Sequence, residues 1–388
     1  MATTEQISST TLAPLNPPRR LLFGPGPTMV DPRVYEALSK PLVGHLDPYF
    51  IQVLEDVQQL LKGVFGIKEG FTIAISGTGS AGMEAAVANL IEPGMKFAIF
   101  ANGYFCDRIT EMGKRHGANV VRFEKPWGEI FSDAEATDFI RRERPNVVAY
   151  VNAETSTGAL QNGKAICAAA HDAGALVIAD VVTSLGAMPI RFDETGIDIA
   201  YSCTQKGLSC PPGLAPIAVS RRAMDYLNAR KTPCRSWYLD LKLLYDYHTV
   251  SHRYHHTAPI SMFYALREAL VVIMEEGIEN RWQRHLHCHK EFLDGVQELG
   301  LEMHVPKEEN RIWNLNTVKV PEGVDSGRVT KRLLEERGIE ILGGFGPLAG
   351  KVFRIGIMGP LATGRNVTLL LTEFENILRA EGYKGGKR

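Results

Sequence analysis

No C-x-x-C pair occurs among the six cysteines, Cys106, Cys167, Cys203, Cys210, Cys234 and Cys288, which are scattered along the 388 residues. That spacing describes neither a zinc site nor a disulfide framework, and it suits a reducing compartment. No apolar run approaches the roughly 18 residues a membrane span needs. The start MATTEQISSTTLAPLNPPRR lacks the apolar core of a secretory signal, and the closing GGKR is not a peroxisomal S-K-L address. A cytoplasmic location is therefore expected. An excess of charge is missing too: 43 Lys and Arg against 44 Asp and Glu leave a net charge of −1, which supplies no field for recruiting nucleic acid or an anionic membrane. Repeats are absent, and the one biased segment is the Ser/Thr/Pro-rich start, residues 1–20, expected to be an irregular arm.

What remains is the composition of an ordinary soluble enzyme or binding protein, long enough for two or three domains with a large buried core. Short apolar runs of strand length alternate with helical patterns: FTIAIS (71–76), KFAIFA (96–101), NVVRFE (119–124), NVVAYVNAE (146–154), ALVIADVV (175–182), DIAYSCT (198–204) and LAPIAVS (214–220). Helical spacing is expected near 50–62, 81–91, 104–116, 132–143 and 162–173. Such alternation marks an α/β fold, a mostly parallel seven-stranded sheet with helices on its faces. A long helical pattern near 261–298, followed by NLNTVKVP, a helix near 326–337, IEILGGFG and KVFRIGIMG, suits a smaller α+β unit. The expected division is a large domain at 21–260 and a small C-terminal domain at 261–388.

ISGTGSAGMEAA contains a G-x-G-x-x-G at Gly77, Gly79 and Gly82, between a strand and a helix. The unpaired N–H groups and dipole of a helix start suit a phosphate. A dinucleotide site also requires an acid about 20 positions on, and that position holds Asn102. The glycines equally suit a tight turn that lets helix and strand pack closely. Two later strand ends narrow the choice. ALVIADVV carries Asp180 where open α/β sheets place their ligands, and DIAYSCTQK leads to Lys206. These two charges could form a plain ion pair. With a phosphate loop they also match pyridoxal phosphate, whose aldehyde needs a lysine, whose pyridine nitrogen needs a carboxylate and whose phosphate needs a helix start.

Arg354, inside the apolar strand KVFRIGIMG, needs an anion: either a buried acid of the chain or a substrate carboxylate gripped bidentately. In HLHCH, His285 and His289 are spaced to share a metal, but no carboxylate or second cluster follows. A solvated helix face is the expectation there, and no metal is expected. His255 and His256 read as packing residues.

LLFGPGPTMVDPRV, ISGTGSAGMEAA, ANGYFCDR, ETSTGALQ, IADVVTSLGAMPI, YSCTQKGLSCPPG, YHHTAPISMFYALREAL and KVFRIGIMG stand in the order found in one family. Across roughly residues 20–375 the chain resembles the alanine–glyoxylate and serine–pyruvate aminotransferases, class V pyridoxal-phosphate enzymes of fold-type I. The resemblance implies that Lys206 bonds the cofactor and Asp180 pairs with its ring nitrogen. It implies that Thr78, Gly79, Ser80 and Gln205 hold the phosphate, and that Phe105 stacks on the ring. Thr155 would lie by the ring oxygen, while Tyr254 and Thr257 would reach the partner subunit's phosphate in a homodimer with shared active sites. Arg354 would clamp the substrate carboxylate, with the Gly26 backbone nearby. Amino-acid and keto-acid substrates follow, with alanine or serine as donor and glyoxylate or pyruvate as acceptor in a ping-pong reaction. Phe105, Ser80 and Thr155 stand where some relatives carry Trp, His and Ser. Such changes leave ureidoglycine, 3-hydroxykynurenine and pyridoxamine open as substrates of a related aminotransferase. A lyase of the cysteine desulfurase type is the rival within the cofactor class, although Cys203 and Cys210 lie too close to Lys206 to reach across the site freely.

Overall fold

A computed structural model describes residues 13–385, so most of the arm expected at 1–20 lies outside the described residues. The seven apolar runs are strands β1 (Gly70–Ser76), β2 (Lys96–Ala101), β3 (Asn119–Glu124), β4 (Val147–Val151), β5 (Leu176–Asp180), β6 (Ile199–Tyr201) and β7 (Leu214–Ser220). They form one sheet in the order β1-β7-β6-β5-β4-β2-β3. β7 runs antiparallel to both its neighbours, and every other pairing is parallel.

β4 (VVAYV) and β5 (LVIAD) are buried at every position because helices cover both faces of the sheet. The period of two sorts the side chains. Val177 and Ala179 join the core under helices Pro48–Phe65 and Ile260–Glu276, while Leu176 and Ile178 join the core under Gly79–Leu90 and Tyr104–Arg115. Each fully buried Val, Ile, Leu or Phe contributes about 1.5–3 kcal/mol, against a chain entropy cost of similar total size. One consequence is local: Asp180 continues the Leu176–Ile178 face, so its carboxyl emerges on the side where helices Gly79–Leu90 and Tyr104–Arg115 begin.

The long helical pattern at 261–298 is two helices, Ile260–Glu276 and Ile278–Glu298, divided by Gly277 at φ 83°. A positive φ there ends the first helix and is open to glycine at no steric cost. Beyond it, strands β8 (Leu315–Lys319), β9 (Leu342–Gly343) and β10 (Val352–Gly356) make an antiparallel sheet in the order β8-β10-β9. Helices Ile278–Glu298, Ser326–Arg337 and Gly364–Ala380 close a second core around Phe292, Phe353 and Phe374. Leu21–Leu22 pairs in parallel with Ile339–Glu340, and Phe23 is buried in this second core. The segment leading to Pro25–Pro27 is thereby fixed to the C-terminal core. Among the described residues no helix is long and apolar enough to cross a membrane.

Candidate active site

The parallel strands β1, β2, β4, β5 and β6 point their carboxyl ends to one edge of the sheet, and the chemistry-bearing side chains gather there. Asp180, the last residue of β5, is a register partner of Tyr201 on β6. Its Oδ2 accepts the Tyr201 phenol O–H at 2.7 Å, and its Oδ1 accepts the Val182 amide at 2.9 Å. Burial pushes the Asp180 carboxyl up to about 6, while the two donors and the nearby Lys206 and Arg108 charges favour its ionised form.

Lys206 follows β6 in a loop laced by its own backbone. Cys210 N donates to Thr204 O at 3.0 Å, and Thr204 Oγ1 donates to Pro211 O at 2.6 Å. Arg281, 3% exposed, donates to Gly207 O and to Gly186 O, tying this loop to the one after β5. Lys206 Nζ donates to Pro25 O. A Cβ on Gly26, whose φ is 112°, would stand 2.6 Å from Lys206 Nζ, so only glycine leaves room for the lysine. Burial pulls the amine below its ordinary value, and the Arg354 charge adds to that. Lys206 and Asp180 act on each other electrostatically, each favouring the other's charged form.

The glycine loop packs closely and leaves backbone donors unfilled. A Cβ on Gly79 would meet Cys203 Cβ at 3.0 Å, and one on Gly82 would meet Ala215 and Tyr201 at 3.1 and 3.2 Å, so close packing requires both glycines. Thr78 is the N-cap of helix Gly79–Leu90, yet its side chain makes no capping hydrogen bond. Among the described residues, the amides of Thr78, Gly79 and Ser80 donate to no protein group. Three unfilled donors at a helix start suit a phosphate. The Gln205 Oε1 atom is also buried without a partner.

Arg354 projects from β10 and is 7% exposed. Its Nε donates to Gly343 O at 2.9 Å. Among the described residues it forms no ion pair, and its terminal nitrogens donate to no protein atom. Burial draws the guanidinium down to about 10 against the pull of Glu154. The buried acid that could have neutralised it within the chain is not paired with it.

Several residues depart from what the sequence led one to expect. His285 and His289 do not face solvent: both are 1% exposed. His285 Nε2 accepts the Gly359 amide at 3.1 Å, and His289 Nδ1 bonds Asn316 Oδ1 at 2.8 Å, because their helix packs this face on the C-terminal core. Only His287 is solvated, beside Glu291. Gly26 lies against Lys206, and no hydrogen bond links it to Arg354. Tyr254 and Thr257 are exposed and bond each other at 3.4 Å, with no hydrogen bond to Lys206, Gln205 or the glycine loop. Thr155 is buried and bonds Thr183 Oγ1 at 2.5 Å. His255 stacks on Trp237 at 4.2 Å, and His256 bonds Ser76 Oγ at 2.6 Å, just ahead of the loop.

Sequence reasoning missed Glu154, fully buried after β4. Its carboxylate accepts the amides of Ser156 and Phe105 and the Ser156 hydroxyl, and burial pushes it up to about 7. It is a second acid at a strand end, the signal that singled out Asp180. Tyr201 was also missed, since an aromatic in an apolar run carries no mark of a polar task.

The profile of the family "Aminotransferase class-V" matches residues 20–352. The chain is a class V aminotransferase. A solved alanine–glyoxylate aminotransferase from Nostoc sp. superposes with TM-score 0.93 at 45% identity, over 95% of this chain and 97% of that one. The (S)-ureidoglycine–glyoxylate transaminase of Bacillus subtilis is 37% identical, covering 95% of this chain and 94% of its own length. The alanine–glyoxylate aminotransferase of Drosophila melanogaster is 38% identical, over 92% of each. Class V membership brings dependence on pyridoxal phosphate, and the unfilled helix-start amides, the crowded lysine and the buried acid fit that group. The expected α/β fold-type I architecture stands.

Proposed function

We propose that this class V enzyme moves the amino group of alanine or serine to glyoxylate, or to pyruvate, with donor and acceptor using one site in turn. The observation that carries the reading is Arg354: a buried guanidinium with free terminal nitrogens, close enough to Lys206 for their charges to repel. An amino acid and its keto acid share the planar carboxylate that such a fork grips with two parallel hydrogen bonds. Glyoxylate as acceptor draws support from the names of all three relatives above. Ureidoglycine as donor is the second reading, favoured by the Bacillus subtilis relative.

Pyridoxal phosphate supplies a carbonyl that takes up an amine and a ring that draws electron density from the substrate's α-carbon. In this reading Lys206 is the amine that would hold the carbonyl. Its free amine would take the proton from the substrate α-carbon, a task helped by burial, which already lowers its basicity. Asp180 keeps a proton on the ring nitrogen through charge proximity. Thr78, Gly79, Ser80 and Gln205 would hold the phosphate, Phe105 would cover the ring and Thr155 would bond the ring oxygen. Arg354 orients the substrate so that its α-hydrogen faces Lys206, with the Gly26 backbone lining the approach.

The reading includes a homodimer in which Tyr254 and Thr257 complete the partner's phosphate site. Its support is that both stand exposed, and that His255 between them packs against Trp237 and Tyr238, two further large exposed side chains. It includes a large cofactor domain and a small C-terminal one, expected at 21–260 and 261–388, although helix Ile260–Glu276 packs under the large sheet and Phe23 packs in the C-terminal core. It also includes a cytoplasmic location that suits six free cysteines. Incubation of the cofactor-loaded protein with alanine alone tests the class of reaction. The carbonyl absorbance should convert stoichiometrically to that of pyridoxamine phosphate, whereas a lyase would regain it. Steady-state rates with alanine, serine and ureidoglycine, against glyoxylate and pyruvate, then rank the donors and acceptors.

A further inference from the structure

Aromatic residues from both halves of the chain meet at Arg354. Phe345, on the loop between β9 and β10, lays its ring 4.4 Å from Arg354 Cζ. Tyr104 packs edge-on against Phe345 at 4.8 Å, and Trp127 does so at 6.3 Å. Tyr104 opens the helix that also carries Phe105, and the Arg108 guanidinium sits 5.0 Å from its ring. A Cβ on Gly346 would come within 3.1 Å of the Trp127 ring, so the loop backbone is pressed against the indole and the wall is supported from behind. The bond from Arg354 Nε to Gly343 O fixes the guanidinium to the end of β9, from which that loop leaves. One face of the guanidinium is thus covered, and its terminal nitrogens remain free.

We infer that Phe345, braced by Tyr104 and Trp127, sets the length of substrate side chain this enzyme accepts. The inference rests on the reading of Arg354 as the carboxylate clamp. With the carboxylate on Arg354, the α-hydrogen towards Lys206 and the amino group towards the cofactor, the side chain is the one substituent left to meet the clamp's surroundings. Those surroundings are a closely packed ring face that offers no hydrogen bond to a charged group. Hydrogen, methyl and hydroxymethyl are small enough to clear it, while each added methylene must displace a braced aromatic. One methylene in such a pocket changes discrimination by about 10–200-fold.

The test uses the cofactor-loaded protein and straight-chain monocarboxylates from acetate to pentanoate, with binding read from the perturbed cofactor absorbance. In the wild type, affinity should fall at least about tenfold beyond propionate. Phe345→Ala should abolish that fall. Phe345→Leu, which keeps the loop packed, should reduce it. Single-turnover rates with alanine, 2-aminobutyrate and norvaline should follow the same order. If acetate binds and the three chain-length profiles superimpose, the clamp stands and the role of Phe345 is overturned. If acetate binds neither the wild type nor Arg354→Lys, the clamp itself fails and the inference falls with it.

Discussion

The Tyr201 phenol donates to Asp180 Oδ2 at 2.7 Å from the neighbouring strand, one register step across the sheet. This bond favours the ionised carboxylate against burial, which raises its pKa. Tyr201→Phe should therefore raise the Asp180 pKa further from about 6 and move the acid limb of the kcat profile upward by about one unit, lowering kcat roughly twofold at neutral pH and towards about tenfold below the limb. Asp180→Asn should cost on the order of 100-fold or more in kcat while cofactor binding persists. A pH–rate series on both variants checks this.

Glu154 links stability to pH with a definite sign. Its native pKa, about 7, lies above the ordinary 4.5, so the stability it contributes is complete below about 4.5 and is lost as pH rises through 7. At 1.36 kcal/mol per unit, the loss is on the order of 3 kcal/mol. Glu154→Gln removes this titration. The urea midpoint of the cofactor-free protein should fall less between about pH 5 and about pH 8 in the variant than in the wild type. Parallel curves would contradict the assignment.

Tyr254 and Thr257 form no hydrogen bond with the rest of their own site, so their function should appear in trans. Lys206→Ala and Tyr254→Ala chains should each be nearly inactive. Refolded together in equal amounts they should recover roughly a quarter of wild-type activity, since half the dimers then hold one intact site of two. No recovery on mixing would mean that each chain supplies its own site.

The strand content was legible because buried parallel strands read as continuous apolar runs; β4 and β5 are buried throughout. Strand direction was not legible, since nothing in LAPIAVS distinguishes the antiparallel β7 from its neighbours. The break at Gly277 lay inside a helical periodicity on both sides of it. His285 and His289 misled for a related reason: their burial is decided by the C-terminal sheet that packs on them, and polar composition alone suggests water. Asp180, Lys206 and Arg354 stood out because charges in apolar runs are costly. Glu154 carried the same mark and ended a similar run. Phe345 and Trp127 come together only through packing between segments more than two hundred residues apart in sequence.

The central claim is a covalent bond between Lys206 and the cofactor, and borohydride reduction of the loaded protein, followed by proteolysis and mass spectrometry, tests it most directly. The cofactor's mass should be fixed on the peptide containing Thr204-Gln205-Lys206, and Lys206→Ala should abolish the adduct. A stable adduct on another lysine, or its persistence in Lys206→Ala, would contradict the account.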